Sequence, residues 1–201
     1  MTTKSQGKTP PEPASRQRAP GELGLVQEFI NAGDLQGEDR LAQPLSLEEW
    51  LRAHRLLALK GRVSEADVRH AIGVREALRD MLAANDGAKV NKDAVEMLSR
   101  AARSAQLAVQ FDEHGRAKLE PGASGVDAAI GTVIGIAVRA MLDGSWRRLK
   151  ACRDETCRWA FYDRSKNRSS RWCVMSVCGN RSKVRKFRAL KRRPAAGPAA
   201  D

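Results

Sequence analysis

Apolar positions repeat every three to four residues along most of the chain before residue 142, and this repeat predicts helices. Leu25, Val26, Phe29 and Ile30 open the first, from Gly21 onward. The segment GDLQGED follows as a turn-rich loop. Ser46 and Glu49 have capping-box spacing and predict a helix start ahead of Trp50, Leu51 and Leu56. Ser64 predicts the start of a long helix carrying Val68, Ile72, Val74, Leu78, Met81 and Leu82, which NDG terminates. Asn91 is the expected N-cap of another helix, through Val95, Leu98 and Ala102.

The period then changes. LAVQF, DEHG and RAKLE read as strand, turn and strand, with Gly115 in the turn. Residues 125–142 are apolar nearly all round and predict a buried helix, on which Gly131 and Gly135 share one face and admit another helix at close range. Gly144 stops that helix. The longest apolar stretch, around Ile130 to Val138, is too short to span a bilayer, which argues against a membrane partner.

Composition sharpens this outline. Apolar residues make up 42% but aromatics only 4%, so the core is expected to be aliphatic. Formal net charge is +12, concentrated at one end: residues 147–193 hold 17 Lys/Arg against 3 Asp/Glu, and the remainder 19 against 21. Such asymmetry points to a polyanion, most often nucleic acid. The polar, Pro-rich start has no apolar core segment of the secretory kind, so a cytoplasmic, nucleoid-associated location is expected. His54, His70 and His114 are scattered, and no nucleophile–base pair can be read, so an enzyme is not expected.

All four cysteines lie between residues 152 and 178, as Cys152-x4-Cys157 and Cys173-x4-Cys178. Two close pairs joined by a short segment can offer four thiolates to one tetrahedral ion. Zinc suits them, and a closed four-sulfur site is structural rather than catalytic. Two disulfides would suit a secreted protein, and an iron–sulfur centre is an alternative use of four thiolates. Arg153, Arg158, Arg171 and Arg181 flank the ligands and could offset the negative charge of the site. Trp159, Phe161 and Trp172 can cover it. After Cys178, Gly179 would let the chain turn tightly, and Asn180 would cap a basic helix whose Val184 and Phe187 dock on the metal module.

These residues resemble the CGNR zinc-finger family. Cys152, Cys157, the run FYDRSKNRSSRWC ending at Cys173, and the tetrad Cys178-Gly179-Asn180-Arg181 with Lys183 beyond carry the likeness. FINAGDLQGEDRLAQPLSLEEWLRAHRLL and the helix–hairpin–helix order suggest that family's usual upstream partner, the ABATE domain. The resemblance implies a bacterial, stress-related transcription regulator. Its fold is expected to be mainly α with a small β-hairpin, plus a C-terminal treble-clef-like or ribbon-like zinc finger and a basic helix. The expected division is a disordered leader 1–20, an ABATE-like domain 21–145, a finger 146–193 and a disordered tail 194–201.

One structural Zn2+ is expected on Cys152, Cys157, Cys173 and Cys178. Double-stranded DNA is the expected partner, met by Arg164, Lys166, Arg168, Arg171, Asn180, Arg181, Lys183, Arg185, Lys186 and Arg188. The N-terminal domain is expected to bind a small molecule in an aliphatic pocket or to form a homodimer. RNA binding and a protein-interaction adaptor are the alternative readings.

Overall fold

The structure, a computed structural model, describes residues 18–33, 39–57 and 62–191, leaving aside the side chains of Lys186, Ala189 and Leu190. Among these residues six α-helices and two antiparallel hairpins follow one another: α1 Leu23–Asn31, α2 Pro44–Ala53, α3 Glu65–Ala84, α4 Lys92–Ser104, β1 Leu107–Phe111, β2 Ala117–Pro121, α5 Gly125–Leu142, β3 Leu149–Ala151, β4 Ala160–Tyr162 and α6 Asn180–Lys191. The expected tail lies outside the described residues, and so do residues 1–17 of the expected leader. Of its last residues Ala19 is buried, its N–H donating to Gln27 Oε1 at 2.6 Å, while the exposed Arg18 pairs with Glu28.

Local signals account for most helix starts. Ser64 caps α3 in a reciprocal box with Asp67. Asn91 caps α4, its side chain accepting from Asp93 N–H at 3.0 Å. The start of α2 differs from expectation. Gln43 is the N-cap and Pro44 occupies the first turn, so Ser46 lies inside the helix and caps nothing. Leu56 is also outside α2: Arg55 takes a left-handed conformation and Leu56 N–H returns to Leu51 O at 2.8 Å, a Schellman-type stop.

Helix α5 is the central core element. Val126, Ile130, Val133, Ile134 and Ala137 are buried on it, against Phe29, Ile30, Leu78 and Leu82 among others. It is long and apolar enough to cross a membrane by composition, but 56% of that window is buried inside the molecule, as befits a core helix. Its glycine face receives a hairpin, not a helix. A Cβ on Gly131 would lie 2.6 Å from Ala105 Cβ and 2.9 Å from Pro121 Cβ, and one on Gly135 would lie 3.4 Å from Leu119 O. The β1–β2 register, Leu107 opposite Pro121 and Val109 opposite Leu119, sets Leu107 and Leu119 against that face.

The β3–β4 hairpin belongs to the same core. Leu149, Ala151 and Ala160 are buried with the helical residues, and so is Trp146, which the charge pattern assigns to the basic segment. Polar contacts reinforce this. Asn31 Nδ2 and Gln27 Nε2 both donate to Ala160 O, at 2.9 and 3.0 Å, and Ala160 N–H donates to Asn31 Oδ1 at 2.8 Å. Asn85 Nδ2 donates to Trp146 O and Leu149 O. Arg79, 1% exposed on α3, donates to Ile30 O at 2.6 Å, Gly33 O at 2.9 Å and Arg158 O at 3.1 Å, while Glu76 balances its charge. Burial pushes the Arg79 guanidinium below its ordinary pKa, and Glu76 opposes that push.

Candidate metal centre

Cys152 follows β3, and Cys157 closes the knuckle that turns back into β4. Within the knuckle Asp154 O accepts from Cys157 N–H at 2.7 Å and from Arg158 N–H at 3.0 Å. Cys173 precedes a single π-helical turn, Met175–Gly179, which contains Cys178 and runs straight into α6. One ligand pair thus comes from a hairpin knuckle and the other from the turn leading into a helix. That is the treble-clef-like form of the two expected, rather than two ribbon knuckles.

The four Sγ atoms lie within 4.8 Å of one another; Cys157–Cys173 is 3.5 Å and Cys173–Cys178 is 3.6 Å. A tetrahedral zinc site with Zn–S of about 2.3 Å needs S–S edges of about 3.8 Å. Disulfides need about 2.0 Å, and all four cysteines are free. The chemistry of the donors agrees. Hydrogen bonds from Cys157 and Cys173 pull the Cys152 thiol far down, while the neighbouring Cys152 sulfur pushes Cys157 and Cys173 up. Protons alone therefore let one sulfur ionise easily at the expense of its neighbours; a divalent cation stabilises all four thiolates together. The four cysteines form a site for one structural zinc ion.

Phe161 is buried beside the sulfurs, with Trp159, Trp172, Val174 and Val177 packed around them. The flanking arginines divide. Arg181 reaches a sulfur, Nη2 to Cys178 Sγ at 3.4 Å. Arg153 pairs instead with Asp86 and Arg158 with Asp80, both on the helical body, while the Arg171 side chain is exposed. Gly179 does not take a left-handed turn. A Cβ there would lie 2.4 Å from Met175 Sδ and 3.3 Å from Trp172 Cδ1, so the exposed Met175 side chain would have to swing aside. Asn180 is already helical and does not cap α6; its Nδ2 donates back to Ser176 O at 2.9 Å.

Sequence reasoning missed the two carboxylates that organise this region. Asp154, fully buried in the knuckle, lies 2.8 Å from Arg185 Nη2 and 3.0 Å from Arg181 Nε, and also accepts from Thr156. Burial would raise its carboxyl, but the Arg185 and Thr156 hydrogen bonds hold it below its ordinary value. Asp163 meets Lys150 Nζ at 2.9 Å and accepts from Ser165 and Ser170 N–H, which together outweigh burial and hold its carboxyl far below normal. Lys150, 2% exposed, also donates to Arg168 O and Ser170 O, fixing the backbone of loop 163–171. The sequence signal was present as an acidic residue between two ligands and another at the start of a basic loop.

The ten expected nucleic-acid contacts therefore fall into groups. Lys166, Arg168, Arg171, Lys183 and Arg188 are exposed. Arg164 is exposed too, though it donates to Arg18 O at 3.0 Å and lies 5.8 Å from the Tyr162 ring centroid. Arg181 and Arg185 are engaged with Asp154, Asn180 with Ser176, and the Lys186 side chain lies outside the described residues. Val184 and Phe187 do not dock on the finger; they are 47% and 59% exposed. The Arg181–Arg185 face is the one that meets Asp154, and Phe187 falls about 140° around the helix from it.

Comparison with known families agrees with this architecture. The CGNR zinc finger matches residues 148–191. ABATE, described as "Putative stress-induced transcription regulator", matches residues 23–144, more than half of the chain. Neither is an enzyme class. No curated protein matches significantly. With its helical body matched across that span and its four sulfurs gathered as the finger requires, the chain belongs to the ABATE family and carries a C-terminal CGNR zinc finger.

Proposed function

We propose that this protein regulates transcription in the bacterial cytoplasm, associated with the nucleoid, by laying its zinc-stiffened C-terminal module against duplex DNA. One observation carries the reading. Exposed Lys183, Arg188 and Lys191 project from a helix seated on the zinc site, beside a loop presenting Lys166, Arg168 and Arg171 on a backbone held by Lys150 and Asp163. Cations held on a rigid frame can match phosphates without first losing conformational freedom.

For the helical body we propose signal sensing or self-association. An open cleft of about 740 Å³ joins an apolar wall of Ala42, Trp50 and Ala53 to a polar rim of Asp39, Arg40, Gln43, Ser46 and Glu49, so the ligand it suits carries both apolar and polar groups. The test of the main reading is fluorescence anisotropy of zinc-loaded protein with labelled duplex DNA across a salt series. Affinity should fall linearly on logarithmic axes, and Arg188→Ala should flatten the slope by about one unit. Absence of binding to DNA at low salt overturns the reading, and preference for structured RNA at matched salt replaces it with the RNA alternative.

A further inference from the structure

Two of the most conspicuous cations of α6, the half-buried Arg181 and the more exposed Arg185, both reach towards one carboxylate. They lie four residues apart, so they share a helix face. Asp154 sits between them with no exposed surface, Oδ1 2.8 Å from Arg185 Nη2 and Oδ2 3.0 Å from Arg181 Nε. Its other contacts are local: Thr156 N–H and Oγ1 donate to Oδ1. Arg181 in turn touches Cys178 Sγ. A continuous polar chain thus runs from the first ligand pair, through a carboxylate, to the helix that follows the second pair. Among the described residues of α6, Val184 and Phe187 are exposed.

We propose that Asp154 is the positioning residue of the nucleic-acid interface: it clamps Arg181 and Arg185 to set the direction of α6, and contributes no contact to DNA itself. This rests on the DNA-binding reading above. It assigns Arg181 and Arg185 an aiming role and leaves phosphate contact to Lys183, Arg188 and Lys191 with the 163–171 loop. A fixed helix presents those cations in one arrangement; a freed helix must be ordered anew at each encounter.

The proposal makes a prediction opposite in sign to simple electrostatics. Asp154→Asn removes a negative charge and releases two guanidinium groups, so charge alone predicts tighter DNA binding. Positioning predicts weaker binding, by about 10-fold, the scale of one lost charge-assisted hydrogen bond. Zinc content should stay at one ion per chain, and amide hydrogen exchange in α6 should rise in protein without DNA. Arg185→Lys keeps the charge but loses the planar fork, and should also raise α6 exchange.

Combining the two should weaken binding no further than Asp154→Asn alone, because they act through one contact. Equal or tighter binding by Asp154→Asn, unchanged α6 exchange, additive losses in the double variant, or loss of zinc from Asp154→Asn would each overturn the assignment. Wild-type protein that ignores DNA would instead sink the function from which the assignment starts, so the two failures are distinguishable.

Discussion

Replacing Arg79 by Met tests whether the helical body and the metal knuckle unfold as one. Arg79 is 1% exposed and supplies donors to Ile30 O, Gly33 O and Arg158 O, with Glu76 as counter-charge. Met fills most of the volume but offers no donor. Three carbonyls, those of Ile30 and Gly33 buried and that of Arg158 partly so, then lose a partner, while Glu76 keeps its pair with Arg75. Each orphaned buried group costs about 1–3 kcal/mol. These are not additive, because the carbonyls can relax towards water, so the net expectation is about 4 kcal/mol. For a chain of this size that is a fall of about 8–16 °C in melting temperature.

The assay is thermal unfolding of zinc-loaded protein, followed by far-UV circular dichroism and by zinc release to a colorimetric chelator. Both transitions should move down together, because Arg79 bonds to the residue that follows Cys157. A shift below about 1 kcal/mol, or a helical transition that moves while zinc release does not, refutes the reasoning.

Three further outcomes are expected. Cys173→Ser should abolish stoichiometric zinc binding, measured by native mass spectrometry; full retention of zinc would contradict the four-sulfur assignment. Phe187→Ser should change stability by less than about 0.5 kcal/mol in urea titrations, since the ring is 59% exposed and its closest cation partner, Lys191 Nζ, lies 4.9 Å from the centroid; a larger loss would mean the ring is docked. Asp39→Asn should reduce stability at neutral pH but not in acid. Burial works against the Asp39 carboxylate, yet the bidentate Arg75 contact holds its pKa below the unfolded value of about 3.9, so its contribution is complete above that pH and fades as pH falls through the lower folded value. A stability difference between wild type and Asp39→Asn that persists undiminished at the acid end would argue against that pair.

Local chemistry explains what could be read from sequence. The Ser64 and Asn91 caps, the Gly115 turn and the spacing of the four cysteines each act within a few residues, so pattern alone finds them. What was not legible depends on residues distant in sequence. Asp154 meets Arg185 across 31 positions and Arg79 meets Arg158 across 79, and no periodicity announces such pairs. Val184 and Phe187 have helical spacing that fits docking, but a buried carboxylate competes for the orientation of α6 and draws Arg181 and Arg185 towards it instead. Gly131 and Gly135 were correctly seen as a site of close approach; only the partner differed, because Ala105 and the hairpin residues Leu107, Leu119 and Pro121 fill the space. Pro44 took over the start of α2 because a fixed φ and a missing N–H suit the first turn better than a hydroxyl two residues later.

The shared core of the β3–β4 hairpin bears on how this protein can be taken apart. A zinc finger is often handled as a cassette, cut at the charge boundary and grafted elsewhere. Here a cut ahead of Trp146 would strip Leu149, Ala151 and Ala160 from their pedestal of helices and leave Asn31 and Asn85 facing water. Grafts that keep the helical body beneath the finger should remain soluble, whereas the excised finger would carry a greasy underside that zinc alone does not cover.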